Sequence, residues 1–165
     1  MQEFTYSPLP DGTLQVVGYR GDEAEVVVPE ICGGRRITVL GDRLFRGHGE
    51  ITSVRIPGGV TDLGEFLFDG CLGLLHIALP SSLTDLWGYT FVRCGLEEIV
   101  LPDSLTGIPP FAFKDCKSLR RVVCGAGMRR IYSWAFGGCD ALEEFICPKE
   151  AVVSPEAFLS KEPEP

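Results

Sequence analysis

The chain has 165 residues, 45% of them hydrophobic, with a formal net charge of −8. That size and apolar content suit one folded domain and exclude a disordered chain. The negative field repels phosphate backbones, which argues against nucleic acid and anionic lipid as partners, and no apolar run approaches the ~20 residues of a membrane span.

The start, "MQEFTYSPLPDG", has no basic stretch followed by an apolar one, so no signal peptide is visible. Two locations stay open: the cytoplasm, or the cell surface or secreted space if a leader was removed. The segment "FTYSPLPDGTLQVVGYRGDEAEVVVP" alternates around Asp11-Gly12 and Gly21-Asp22. Asp-Gly between alternating runs signals a hairpin. Residues 1–25 are therefore expected to form a β-hairpin cap over the N-terminal edge of the remaining chain, an edge that would otherwise invite pairing with other chains.

Residues 26–50 read as a degenerate first coil. "VVVP" at 26–29 matches a strand ended by proline, and "ITVLGDRLFRGHG" at 37–49 matches a second half, with an insertion containing "CGGRR" between them. From Ile51 five rows run to the C-terminus, beginning at Ile51, Leu74, Leu96, Leu119 and Leu142. The period is 23 residues, with one row of 22. A fixed period in this range is the signature of a solenoid. Apolar residues recur at row positions 1, 4, 6, 10, 13 and 18. Position 18 holds Phe68, Phe91, Phe113 and Phe136, and position 21 holds Cys71, Cys94, Cys116 and Cys139. Phe158 takes the phenylalanine place in the last row, which carries no cysteine there, as suits a terminal coil.

Within a row, positions 1–6 read as a short strand ended by proline, with positions 4 and 6 inward and 3 and 5 outward. Positions 18 and 21 are three apart and so share one face of a helical or 3₁₀ turn. Strand and helical turn together predict an α/β repeat solenoid of about six coils, spanning 26–158, with a tail at 159–165. Stacked coils bury what one coil cannot, at a spacing of ~4.8 Å.

The pattern L-x-x-I-x-L-P-x-x-x-x-x-I-x-x-x-A-F-x-x-C resembles the BspA-type leucine-rich repeats. The N-terminal segment, with its Asp-Gly and the strand ending in Pro29, is similar to the cap that opens such arrays. The resemblance implies a right-handed superhelix with a parallel sheet on its concave side. It also implies adhesion or protein binding, not catalysis, at a bacterial surface, with a host matrix protein as ligand if the chain is exported.

Catalytic and metal chemistry find little support in the residues. A ladder with one cysteine per coil offers neighbours on two sides only, whereas zinc needs four ligands around a tetrahedron, and no C-x-x-C occurs. In-register positions are too far apart and too parallel for an unstrained disulfide. The column is read as packed apolar side chains. Cys124 and Cys147 sit at inward position 6 and are read the same way, while Cys32, in the insertion, is the reactive-thiol candidate. Seven cysteines, an odd number, fit a reducing compartment or an anaerobic host. His48 is read as a hydrogen-bonded structural residue at position 21. His76 faces outward at position 3. Asp69, Asp115 and Asp140 are expected to solvate the turn edge. No catalytic residue, metal or cofactor is expected.

The outward columns point to a binding surface. Position 3 reads Ser53, His76, Glu98, Arg121, Glu144, and position 2 reads Thr52, Leu75, Glu97, Arg120, Glu143. An arginine between two glutamates is the pattern of a cross-strand charge ladder. Position 5 reads Arg55, Ala78, Val100, Val123, Ile146. Such β-branched residues suit any strand. An outward apolar strip with Leu75 and Ala78 beside it, rimmed by His76, Glu98, Arg121 and Glu144, also has the layout of an interaction surface. The aromatics at position 16 are expected to pack between coils. The expected function is thus a protein-binding module that is a monomer or weak homodimer; the alternative is a structural or self-associating fragment of a larger surface protein.

Overall fold

The computed structural model describes residues 1–160; the expected tail at 159–165 lies outside them from residue 161 onward. Strands Glu3–Pro8 (β1) and Leu14–Arg20 (β2) pair antiparallel around Asp11-Gly12. Asp11 accepts from the backbone N–H and hydroxyl of Thr13, which closes the turn. Next come Glu25–Val27 (β3), Ile31–Cys32 (β4) and Arg35–Leu40 (β5). The insertion is itself a small antiparallel pair of β4 and β5 around Gly33 and Gly34.

The rows then contribute Ser53–Arg55 (β6), Asp62–Leu63 (β7), Asp85–Leu86 (β8), Glu98–Val100 (β9), Gly107–Ile108 (β10), Arg121–Val123 (β11), Arg130–Ile131 (β12), Glu144–Ile146 (β13) and Val152–Val153 (β14). The coils stack by parallel pairing, except between the coil of β8 and the coil of β9 and β10, which share no strand pair. On one side β3 pairs β6, and β9, β11 and β13 form a sheet. On a second side the order is β1-β2-β5-β7-β8, followed by β10-β12-β14. The parallel pairing of β2 with β5 ties the hairpin to the first coil, so that edge is covered.

The core is the set of inward columns. Ile51, Leu74, Leu96 and Leu119 at position 1 are buried, as are Val60, Leu83, Leu105 and Met128 at position 10. The phenylalanines of position 18 stack from Phe45 to Phe158, with centroids 5.7, 5.1, 5.0, 5.0 and 5.8 Å apart. Offset aromatic contacts of this kind add about 0.5–1.5 kcal/mol each beyond their burial.

Two expectations are corrected. First, no helix occurs among the described residues, so the chain is a β-solenoid and not an α/β one. The third side of each coil does turn back, and Cys71 N–H bonds Phe68 C=O three residues earlier. It cannot propagate as a helix because positions 16 and 20 are left-handed. Phe66, Tyr89, Phe111 and Trp134 have φ of 56, 61, 66 and 63°, and Gly70, Arg93, Asp115 and Gly138 follow at 77, 52, 58 and 79°. The intervening N–H groups then point to the next coil: Phe68 to Thr90, Phe91 to Ala112, Phe113 to Ala135, at 2.9, 2.8 and 2.8 Å. Second, the sheet of first strands is not continuous. Residues 74–79 form no strand, and the sheet splits between β6 and β9. The segment is tied to the coil after it, through Glu97 N–H to Leu75 C=O at 2.9 Å.

Candidate binding surface

Three-stranded pairing of β9, β11 and β13 places Val100, Val123 and Ile146 opposite one another, and likewise Glu98, Arg121 and Glu144. Alternation turns Ile99 and Val122 into the core and leaves their neighbours outside. Val100 is 57% exposed and Ile146 43%, with Val123 half-buried between them. The result is a short apolar strip along the stack.

Beside it runs the charge ladder. Arg121 Nε donates to Glu144 Oε2 at 2.9 Å, and its Nη1 lies 3.9 Å from Glu98 Oε2. In the next column Arg120 Nη2 lies 3.9 Å from Glu97 Oε2. Glu97, Glu98, Arg120, Arg121, Glu143 and Glu144 together line a shallow recess. These pairs are exposed, so each contributes at most about 0.2–1 kcal/mol. They fix which charges meet rather than supplying stability.

Leu75, His76 and Ala78 lie on the segment that forms no strand, and all three are exposed. They are connected to the ladder through His76, whose two ring nitrogens each lie 3.7 Å from a carboxylate oxygen, of Glu97 and of Glu98. On its other side the same segment borders a recess shared with Ser53, Arg55 and Ile56. The nine residues of the expected surface therefore fall into two groups: six on one continuous sheet and three on the loosened coil next to it.

Cysteine chemistry is quiet in the columns. All seven cysteines are free thiols. Cys71, Cys116 and Cys139 each donate to the carbonyl of a phenylalanine in the preceding coil, Phe45, Phe91 and Phe113, at 3.2, 3.0 and 3.1 Å. The thiol thus satisfies an inward carbonyl while its sulfur packs as an apolar group. Burial pushes the Cys94 and Cys124 thiols up to about 12 and raises Cys71 as well. Cys116 is raised by the neighbouring Cys139 thiol and then by burial. A thiol held this far above its ordinary value is a poor nucleophile near neutral pH. Cys32, on β4, is half-buried against the core; burial of the Tyr6 ring, and then Cys32 beside it, raise the Tyr6 phenol.

Neither histidine meets a thiol partner among the described residues. His48 is half-buried, with Nδ1 2.6 Å from Glu50 Oε1 and its ring edge-on to Tyr19. That hydrogen bond holds the Glu50 carboxyl below its usual range.

Sequence reasoning missed two features. Asp69 does not solvate the turn edge: it is 3% exposed and clamped between coils. Arg93 forks onto it with Nε–Oδ1 3.0 Å and Nη2–Oδ2 2.9 Å, and Arg46 Nε reaches Oδ2 at 3.0 Å. The signal was available in the columns, since Arg46 precedes Asp69 by one coil at position 19 and Arg93 follows at position 20. The second is the left-handed aromatic ladder of Phe66, Tyr89, Phe111 and Trp134, stacked at 4.7, 4.8 and 5.5 Å. Its packing was expected; its backbone was not.

Comparison with known proteins fits this geometry. A family model described as the BspA type leucine rich repeat region matches residues 38–162 in six copies. Among solved structures, a leucine-rich repeat protein of T. pallidum is 23% identical with a TM-score of 0.74, the match covering 92% of this chain and 80% of that one. One from Bacteroides ovatus is 25% identical with a TM-score of 0.68, covering 95% of this chain and 49% of that one. A leucine rich cell surface protein of Faecalibacterium prausnitzii is 21% identical with a TM-score of 0.62, over 86% of this chain and 52% of that one. The chain thus spans about half the length of the latter two. No curated protein matches it.

Proposed function

We infer, for a chain that belongs to the BspA type leucine-rich repeat family, that it is a non-catalytic protein-binding module whose contact surface is the outward face of β9, β11 and β13. Protein interaction is the general role of leucine-rich repeat arrays, and this reading gives that role a place on the chain. The observation that carries it is the strip of Val100, Val123 and Ile146, outward and stacked in register beside an alternating charge column. An apolar centre with a charged rim is how interaction surfaces are built. A sheet of stacked coils also presents many side chains to one ligand. His76, Leu75 and Ala78 extend the surface toward the N-terminal coils. In this reading residues 1–25 act as the cap and 26–158 as the binding array. Adhesion at a cell surface rests on the description of one structural relative as a cell surface protein.

Val123→Lys tests this. The side chain faces out, so the melting temperature should stay within about 2 °C of wild type. Affinity capture with wild type and variant in parallel should recover a protein partner on the first and lose it on the second. Equal recovery on both removes the strip from the contact surface.

Self-association is the second reading, and one observation favours it. Among the described residues β13 and β14 each end their sheet, and Phe158 and Leu159 beside them are exposed. Sedimentation across a hundredfold concentration range separates the two: a constant monomer supports a module with a separate ligand.

A further inference from the structure

A different side of the coil carries an aromatic surface that the strand face does not include. Trp87 stands at row position 14, the first residue after β8, and is 51% exposed. Its Nε1 donates to Asp62 Oδ2 at 3.1 Å, so the indole is held in one orientation. In the two preceding coils the same position is glycine, Gly41 and Gly64. Close backbone approach requires both: a Cβ would lie 2.7 Å from Val16 O at Gly41 and 2.7 Å from Asp42 N at Gly64. With no side chain there, a recess of about 330 Å³ opens beside the indole. Val39 gives it an apolar floor over the buried Leu40, and Gln15, Asp42 and Glu65 form its polar wall.

The carboxylates of this wall are uncompensated. Asp42 Oδ1 accepts from Glu65 N–H at 2.9 Å, which fixes the Asp42 side chain and leaves its other oxygen free. Among the described residues neither Asp42 nor Glu65 forms an ion pair, and neither does Asp62 or Asp85. Elsewhere the chain covers its own aromatic faces with cations. Arg43 and Arg46 lie over Phe66 at 5.2 and 5.4 Å, Lys114 over Phe111 at 5.7 Å, and Arg130 over Tyr132 at 5.7 Å. Tyr132 is the informative comparison, because it occupies position 14 as Trp87 does and already carries its guanidinium. Trp87, the strongest cation-binding ring type, has no such partner among the described residues.

We propose that the Trp87 recess is a second binding site, separate from the strand face, for a lysine or arginine side chain presented by a basic peptide segment. The alkyl stem lies on Val39, the charged head faces the indole, and Asp42 and Glu65 supply the counter-charge. The negative net charge of the whole chain steers such a segment toward it. Since the site stands on residues of β2 and β5 and of the turns after β5, β7 and β8, its failure leaves the strand-face reading intact.

The test is an NMR titration of the intact chain with the peptide acetyl-Gly-Lys-Lys-Gly-amide, read at the Trp87 indole N–H and at the backbone amides of Gly64 and Glu65. A saturating shift at these signals is expected, weakening as salt rises, and absent with the same peptide acetylated on both lysines. Glu65→Gln and Asp42→Asn should each lower affinity about threefold, and Trp87→Ala about two- to fivefold, read at the Gly64 and Glu65 amides. All three substitutions are at exposed positions, and unchanged amide spectra elsewhere establish that they fold. No saturation with the lysine peptide overturns the proposal. So does an equal response to the acetylated peptide, or a response to maltotriose alone, which would make the recess a saccharide platform.

Discussion

Replacing Phe111 by alanine and by glycine separates two opposing contributions at one residue. The ring stacks between Tyr89 at 4.8 Å and Trp134 at 5.5 Å, while the backbone sits at φ 66°. Both substitutions remove two aromatic contacts, at a cost of about 1–3 kcal/mol. They differ in the backbone. Alanine keeps a Cβ in the left-handed region, which costs roughly 1–2 kcal/mol. Glycine is free of that cost but loses about 0.5–1 kcal/mol to the flexibility of its unfolded chain. The balance favours glycine by roughly 0.5–1 kcal/mol, the reverse of the order at an ordinary strand position. Urea unfolding of the three proteins, compared at equal slope, measures it. If Phe111→Ala is as stable as Phe111→Gly or more so, the ladder does not hold its backbone against a conformational preference, and the account of why no helix forms is wrong.

Other consequences are open to direct measurement. A maleimide applied to native protein at pH 7 should modify Cys32 first and leave Cys71, Cys94, Cys116 and Cys124 untouched until denaturant is added; rapid native labelling of Cys94 would contradict its burial. Stability should fall as pH rises above the ordinary thiol value of 9.0, because the unfolded chain releases protons that the folded one retains up to about 12 at Cys94 and Cys124. The slope should approach about 1.4 kcal/mol per pH unit per buried thiol, and Cys94→Ala should lessen it by one such share. Arg121→Glu would set three carboxylates in line with Glu98 and Glu144, and should destabilise by about 1 kcal/mol at low salt and less at high salt. A loss indifferent to salt would mean that Arg121 acts by packing.

The stack was legible because its information is columnar. Phe68, Phe91, Phe113 and Phe136 recur at one period, and each falls inside the ring stack that the period demands. The outward set of Val100, Val123 and Ile146 followed from alternation alone, since a strand of three residues has one inward side chain and two outward ones. The turn side was misjudged for a definable reason. A spacing of three between Phe68 and Cys71 suits a helical turn, and apolar periodicity carries no sign of backbone handedness. Left-handed Phe66 and Tyr89 have bulky side chains that ordinarily argue against positive φ. Stacking on the neighbouring coil overrides that preference, and stacking is a relation between rows, not within one. Asp69 was misjudged for the same reason: its partners Arg46 and Arg93 belong to other coils. The loosened segment at 74–79 has no mark in its own residues, where Ile77 and Leu79 keep the inward pattern.

The central claim is that the outward strip on β9, β11 and β13 is where a protein partner sits. Site-specific photo-crosslinking tests it most directly. A benzophenone amino acid introduced at Val123 reports on the strip, and the same group at Tyr132 reports on another side of the coil. Irradiation in the presence of a captured partner should give a covalent adduct from position 123 and none from 132. An adduct from 132 alone, or a homodimer as the sole product from 123, contradicts the account.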